Sequence, residues 1–170
     1  MVRYYVTDHD TVIDKDRKRF AEGIALYEAG NFLEAHVYFD QKVKENRKSA
    51  LAYAYRGKCN RKDGNMYSAM YDFTESLSFD TTIDDVHLEK GMLHYEFEEY
   101  NDAFLSFDKA VWFSRGETPE AFRWRALARL KLHQHSQAEN DLRKAVSLGD
   151  EDAAFVLTQP PFRRRVRLRE

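Results

Sequence analysis

Disulfide chemistry is closed to this chain, because its 170 residues include one cysteine, Cys59. A single thiol cannot pair internally, and it rules out a zinc site built from cysteines. Cys59 reads as a small buried residue, since nothing around it marks a thiolate-stabilising site. Glycine (7) and proline (3) are scarce, which argues against a many-turned all-β fold. No apolar run approaches the roughly 18–20 residues that span a bilayer. The opening MVRYYVTDHD is broken by charge where a secretory leader needs a continuous apolar stretch. The expectation is a soluble protein of a reducing, cytoplasmic compartment. Neither sign of charge dominates: 27 Lys and Arg face 29 Asp and Glu, a net of -2, so the bulk of the chain is no electrostatic match for nucleic acid.

Catalytic signatures are missing too. There is no P-loop, G-x-G-x-x-G, H-E-x-x-H or G-x-S-x-G. His133 and His135 fall in a helix turn without further ligands close in sequence, and Glu98-Glu99 also sit in a turn. Asp8-His9-Asp10 lies in the terminal stretch, and Asp84-Asp85 read as caps of a helix. The expectation is no enzyme activity, no cofactor and no metal.

What is present is a folded-protein composition, 43% hydrophobic and 33% charged, with 12 Phe and 10 Tyr. It is also periodic. Gly23, Gly57 and Gly91 are 34 residues apart, as are Ala35, Ala69 and Ala103, and Phe39, Phe73 and Phe107. A fourth unit, Ala126, Ala138 and Leu142, follows with one extra residue, expected in the loop around 114–118. Each unit reads as two helices. The second unit gives LAYAYRGKCNRKDG and MYSAMYDFTESLSF around an Asp63-Gly64-Asn65 turn, matched by Ala29-Gly30-Asn31 one period earlier. Units three and four have Glu98-Glu99 and His133-Gln134-His135 there, so those turns should be costlier. A glycine kept inside a helix costs roughly 1 kcal/mol against alanine. That column therefore implies a helix crossing too close for a side chain, with the Phe column filling the space beside it.

These columns resemble the tetratricopeptide repeat. The matching residues are Gly23, Gly30, Phe32, Ala35 and Phe39; then Tyr53, Gly57, Ala69 and Phe73; then Gly91, Tyr100, Ala103, Phe107 and Ala110; then Phe122, Ala126, Ala138, Leu142 and Ala145. The resemblance covers roughly residues 16–150. It departs at the proline that usually ends a unit, absent from all four, and at the residue before the small one, polar here as Glu22, Arg56, Lys90 and Arg125. Those departures are expected to loosen the turns between units.

The resemblance implies an all-α fold: a right-handed superhelix, or α-solenoid, of about four helical hairpins. Units run roughly 16–49, 50–83, 84–118 and 119–152 within an array at 14–150. Residues 1–13 precede it, extended or disordered. A short capping helix spans 151–159 behind Asp150, and a basic tail spans 160–170. The implied function is an adaptor that holds a protein or peptide in a concave groove lined by first helices. Carried over by position, that wall is Phe20, Ile24 and Tyr27; Ala54, Lys58, Arg61 and Lys62; Leu88, Met92, Tyr95 and Glu96; and Arg123, Leu127, Leu130 and Lys131. A chaperone-tail carboxylate clamp is disfavoured, because its positions hold Phe20, Ile24, Tyr55, Asp85 and Glu89, or one unit later Ala54, Lys58, Glu89, Glu120 and Trp124. Two alternatives stand beside the groove. Arg163, Arg164, Arg165, Arg167 and Arg169 could meet RNA, anionic lipid or an acidic partner. The array could also stack on itself as a scaffold through an uncovered end, giving a monomer that self-associates weakly.

Overall fold

The computed structural model describes residues 11–162. Ten helices form among them: α1 (Val12–Arg19), α2 (Ala21–Glu28), α3 (Phe32–Glu45), α4 (Ala50–Lys62), α5 (Met66–Phe79), α6 (Asp84–Glu96), α7 (Tyr100–Phe113), α8 (Pro119–Lys131), α9 (His135–Ser147) and α10 (Glu151–Leu157). They pair as antiparallel hairpins α2/α3, α4/α5, α6/α7 and α8/α9. The all-α hairpin array expected from the periodicity is what folds. Contacts group it into two compact units, Met1–Thr81 and Thr82–Glu170.

Two boundaries differ from expectation. Helix begins at Val12, inside the stretch 1–13 assigned to an extended or disordered lead. Thr11 caps α1 by accepting from the Asp14 amide, while Asp14 reaches back to the Thr11 amide. The chain then bends at Phe20 (φ -101°, ψ 18°), separating α1 from α2. At α6 the N-cap is Ile83, and Asp84 and Asp85 lie inside the first turn rather than capping it; there their charge suits the positive end of the helix dipole. The extra residue does lie between α7 and α8, where the loop 114–118 replaces the four-residue loops 46–49 and 80–83. Asp150 caps α10 by accepting from the Ala153 amide at 2.8 Å, and Ala153 is buried against Leu142 and its neighbours. Phe162 joins the edge of that cluster.

Every hairpin turns by the same hydrogen bond. The amides of Asn31, Asn65, Glu99 and Gln134 donate to the carbonyls of Leu26, Asn60, His94 and Arg129, five residues back, at 2.8–2.9 Å. That closure needs a left-handed residue just before each donor. Gly30 and Gly64 take it at φ 82°, but Glu98 and His133 are driven to φ 62° and 61°.

The core of the first three hairpins is a ring held against a glycine. Phe39, Phe73, Phe107 and Leu142 are fully buried. A Cβ built on Gly57 would lie 2.8 Å from Phe73, and one on Gly91 would lie 2.5 Å from Phe107. At Gly23 the obstacle is chiefly Tyr38, with Phe39 behind it. The fourth hairpin solves the same problem in reverse: Ala126 replaces the glycine and the smaller Leu142 replaces the ring. The rings also link consecutive hairpins inside each unit. Phe39 stacks on Tyr55 at 4.9 Å and Phe107 on Trp124 at 5.9 Å.

Gly91→Ala should therefore destabilise the chain by about 1–3 kcal/mol through overpacking. Adding Phe107→Leu should recover part of that loss, a coupling that a double-mutant cycle in denaturant measures. Glu98→Gly and His133→Gly should each raise stability by up to ~1 kcal/mol. Gly30→Ala and Gly64→Ala should lower it, although the added Cβ meets nothing within 4 Å. Thermal unfolding of the four variants checks the opposite signs.

Candidate functional site

In the first unit, α2 and α4 carry the expected wall. Phe20 is not on it: at 2% exposure its ring packs edge-on against Phe39, 6.1 Å away, because the bend at its own backbone turns it inward. Ala54 and Lys58 are also buried, with the Lys58 ammonium 4.7 Å from the Tyr55 ring centre. Ile24 and Tyr27 are half-buried against the same core, and Tyr27 meets Phe32 and Tyr55. Arg61 is half-buried, and Lys62 is exposed with its ammonium over the Phe32 ring.

In the second unit, α6 and α8 do the same work. Leu88 (8% exposed) and Met92 (6%) belong to the core around Phe107, since α7 and α8 both pack on α6 and leave those positions no open side. Tyr95 is half-buried, edge-on to Trp124 at 5.6 Å and to Tyr100 at 5.3 Å, and burial raises its pKa. Arg123 lies over Trp124 and donates to Asp150 at 2.9 Å. Leu127 and Leu130 are half-buried, while Glu96 and Lys131 are exposed, the latter 5.5 Å from the Tyr100 ring centre. Of the wall residues, Phe20, Ala54, Lys58, Leu88 and Met92 are thus core. Ile24, Tyr27, Arg61 and Lys62 in one unit, and Tyr95, Glu96, Arg123, Leu127, Leu130 and Lys131 in the other, are half-buried or exposed. The five tail arginines lie outside the described residues, as do residues 8–10.

The structure adds a feature that the wall did not anticipate. Arg56 donates to Asp72 from Nη2 at 2.6 Å and from Nε at 3.1 Å, and to Asp40 from Nη1 at 2.9 Å. It ties α4 and α5 to α3 of the preceding hairpin. Arg125 repeats the arrangement, to Asp141 at 2.7 and 2.9 Å and to Asp108 at 2.6 Å, tying α8 and α9 to α7. Burial alone would lower the pKa of each arginine, but the hydrogen bonds and charge of the paired aspartates outweigh it and raise both. Asp40 is held below the usual carboxylate value, first by its bond to Lys44 and then by Arg56. Two of the polar residues expected to loosen the repeat therefore cross-link it. The sequence did show them as a departure from the pattern; what it hid was their partners, 16 or 17 residues away.

Cys59 is buried and desolvation pushes its thiol up to about 11. His133 and His135 are exposed, their rings 6.2 Å apart. His94, Glu99 and Asp102 bring ligand atoms within 4.8 Å of one another. Glu99 and Asp102 also flank the start of α7, where carboxylates are favoured by the helix dipole alone. Among the described residues, no helix is long and apolar enough to cross a membrane.

No family model matches the chain. The Hsp70-Hsp90 organizing protein of Triticum aestivum is 22% identical over 155 residues, 88% of this chain and 26% of that protein, so the chain spans about a quarter of its relative's length. Pseudomonas aeruginosa pilF superposes with a TM-score of 0.74 at 20% identity, over 83% of this chain and 65% of that one. The first TPR of Spaghetti (RPAP3), bound to the HSP90 peptide SRMEEVD, gives 0.61 at 20% identity, over 64% and 87%. At such identities the likeness is one of fold, and the fold is that of the tetratricopeptide array.

Arg56→Ala should cost about 2–3 kcal/mol. That is less than the roughly 3–5 kcal/mol for breaking a fully buried pair, because Asn60 still donates to Asp72. Arg56→Met with Asp72→Leu should cost less than Arg56→Ala alone, since no buried charge is then left behind. Urea unfolding of the two variants checks this order.

Proposed function

We propose that this chain, tetratricopeptide by fold, is a non-enzymatic adaptor that holds a segment of another protein against its first helices. The observation that carries this reading is the mixed aromatic, apolar and basic surface left accessible on α2 and α4, and again on α6 and α8. In the second unit Tyr95, Leu127 and Leu130 offer apolar contact, and Arg123 and Lys131 border it with charge. Tyrosine and arginine are the side chains most often found carrying binding energy, and an apolar strip with a few charges suits an extended peptide or an amphipathic helix. Tyr53, Tyr95, Cys59 and Lys90 shift chiefly by burial, while Arg56 and Arg125 are raised by ion pairs that hold helices together.

The partner we infer is not a chaperone C-terminus, although the wheat relative is a chaperone-organizing protein and one structural neighbour holds an HSP90 peptide. The positions a carboxylate clamp would need are spent on packing. Tyr55 and Trp124 are stacked on Phe39 and Phe107, and Phe20, Ala54 and Lys58 are buried. Asp85, Glu89 and Glu120 would repel a carboxylate.

A pull-down comparing wild type with the Arg61→Glu, Tyr95→Ala variant should lose partners with the variant. Equal recovery would falsify the first-helix surface as the binding site. In fluorescence anisotropy, labelled SRMEEVD peptide should show no saturable binding to the wild-type chain; saturation would restore the chaperone reading.

A further inference from the structure

The second helices of the first unit carry a surface that the first-helix wall does not include. Leu33 and Val37 lie one turn apart on α3, and Tyr67 and Tyr71 lie one turn apart on α5, so each pair makes a ridge on one helix face. The ridges stand in solvent: Leu33 is 79% exposed, Val37 62%, Tyr67 83% and Tyr71 58%. The hairpins do not need apolar side chains there, because α3 and α5 bury other positions, Ala35 and Phe39 on one and Ala69 and Phe73 on the other. The fourth hairpin carries Ser136 and Asn140 at the matching positions and folds in the same way.

Beside the ridges runs a furrow. A cleft of about 550 Å³ is lined by His36 from α3, by Tyr67 and Tyr71 from α5, and by Arg56 and Asn60 from α4. A second hollow of about 310 Å³ shares His36 and Asn60 with it and reaches Leu33. The polar floor is complete in itself. Arg56 is held by Asp72 and Asp40, Asn60 donates to Asp72 at 2.9 Å, and Lys44 pairs with Asp40 at 2.6 Å. Covering that floor strands no charge and calls for no charged guest. The four ridge residues expose roughly 500 Å² of side chain, at the upper end of what a monomer ordinarily leaves in one patch. With the furrow walls, the face approaches the ~800 Å² per partner of a standard interface.

We propose that the occupant is the same face of a second copy of the chain, in a closed two-fold dimer. A ridge beside a furrow is self-complementary: under a two-fold axis, the α5 ridge of each copy enters the furrow of the other. The balanced floor lets like meet like without repulsion, and tyrosine suits such a contact because its ring is apolar and its hydroxyl tolerates water at the rim. The aromatic ridge is also bounded. The positions 34 residues after Tyr67 and Tyr71 hold Asn101 and Leu105, so the pair of rings is not repeated along the array, which fits a closed pair of copies and not a filament. A dimer of this kind uses α3 and α5 and leaves the α2 and α4 surface for another protein.

The test uses the full chain in sedimentation velocity from about 1 to about 100 μM, because interfaces of this size hold at μM or tighter. Wild type should pass from monomer to dimer and stop there. Tyr67→Ser with Tyr71→Asn, the residues that the fourth hairpin carries, should weaken dimerisation at least ~10-fold with unchanged helicity. Val37→Arg, on the other ridge, should do the same by placing like charges across the axis. Trp112→Ser, which removes a ring 77% exposed on the second unit, should leave the dimer intact. The Arg61→Glu, Tyr95→Ala variant should also dimerise as wild type does, which separates this face from the first-helix surface. A wild type that stays monomeric, a dimer that survives both ridge variants, or a dimer lost with Trp112→Ser or with the first-helix variant overturns the proposal.

Discussion

The architecture depends on a side chain that is not there. Where the first helix of a hairpin carries glycine, the ring of the second helix occupies the space a Cβ would take. Two helices can then approach closely enough for a phenylalanine to be sealed between them, and Phe39, Phe73 and Phe107 are among the largest fully buried side chains. A single hairpin cannot complete it. Phe39 needs Tyr55 of the next hairpin, and Phe107 needs Trp124, to close the remaining face. This is why the repeat is the folding unit in sequence but not in energy. The fourth hairpin shows that volume, rather than residue identity, is what is conserved across the crossing: Ala126 with Leu142 does the work of glycine with phenylalanine.

Periodicity made the hairpins legible because it records a geometry repeated four times. The small column, the large column, the glycine turns and the longer loop before Pro119 all follow from it. The wall of first helices was less legible. Phe20, Leu88 and Met92 occupy positions that the family pattern assigns to a surface, yet each is large and apolar and has a neighbour to pack on, so the core takes it. Phe20 adds a local bend, which the fixed period could not announce. The charged clamps were hidden for a different reason. Arg56 and its aspartates are 16 residues apart in both directions, on three helices, and they become neighbours only once the rings have set the spacing.

Charge in this fold follows packing. Arg56 and Arg125 stay ionised while half-buried because two carboxylates each repay their desolvation. The third hairpin has Lys90 at that register, and its place in sequence is flanked by Thr74 and Ser106 instead of aspartates. Burial, with Lys109 nearby, lowers the Lys90 pKa. The same position in the repeat thus carries a firmly held cation in two hairpins and a more easily neutralised one in a third.

Cys59 sits on α4 at the centre of this arrangement, shielded from solvent and held in the thiol form at neutral pH. A reagent that attacks only thiolates has no access to it while α4 stays docked. The molecule therefore carries its own clock: the rate at which that sulfur becomes modified counts how often the second hairpin opens, at a position the sequence already supplies.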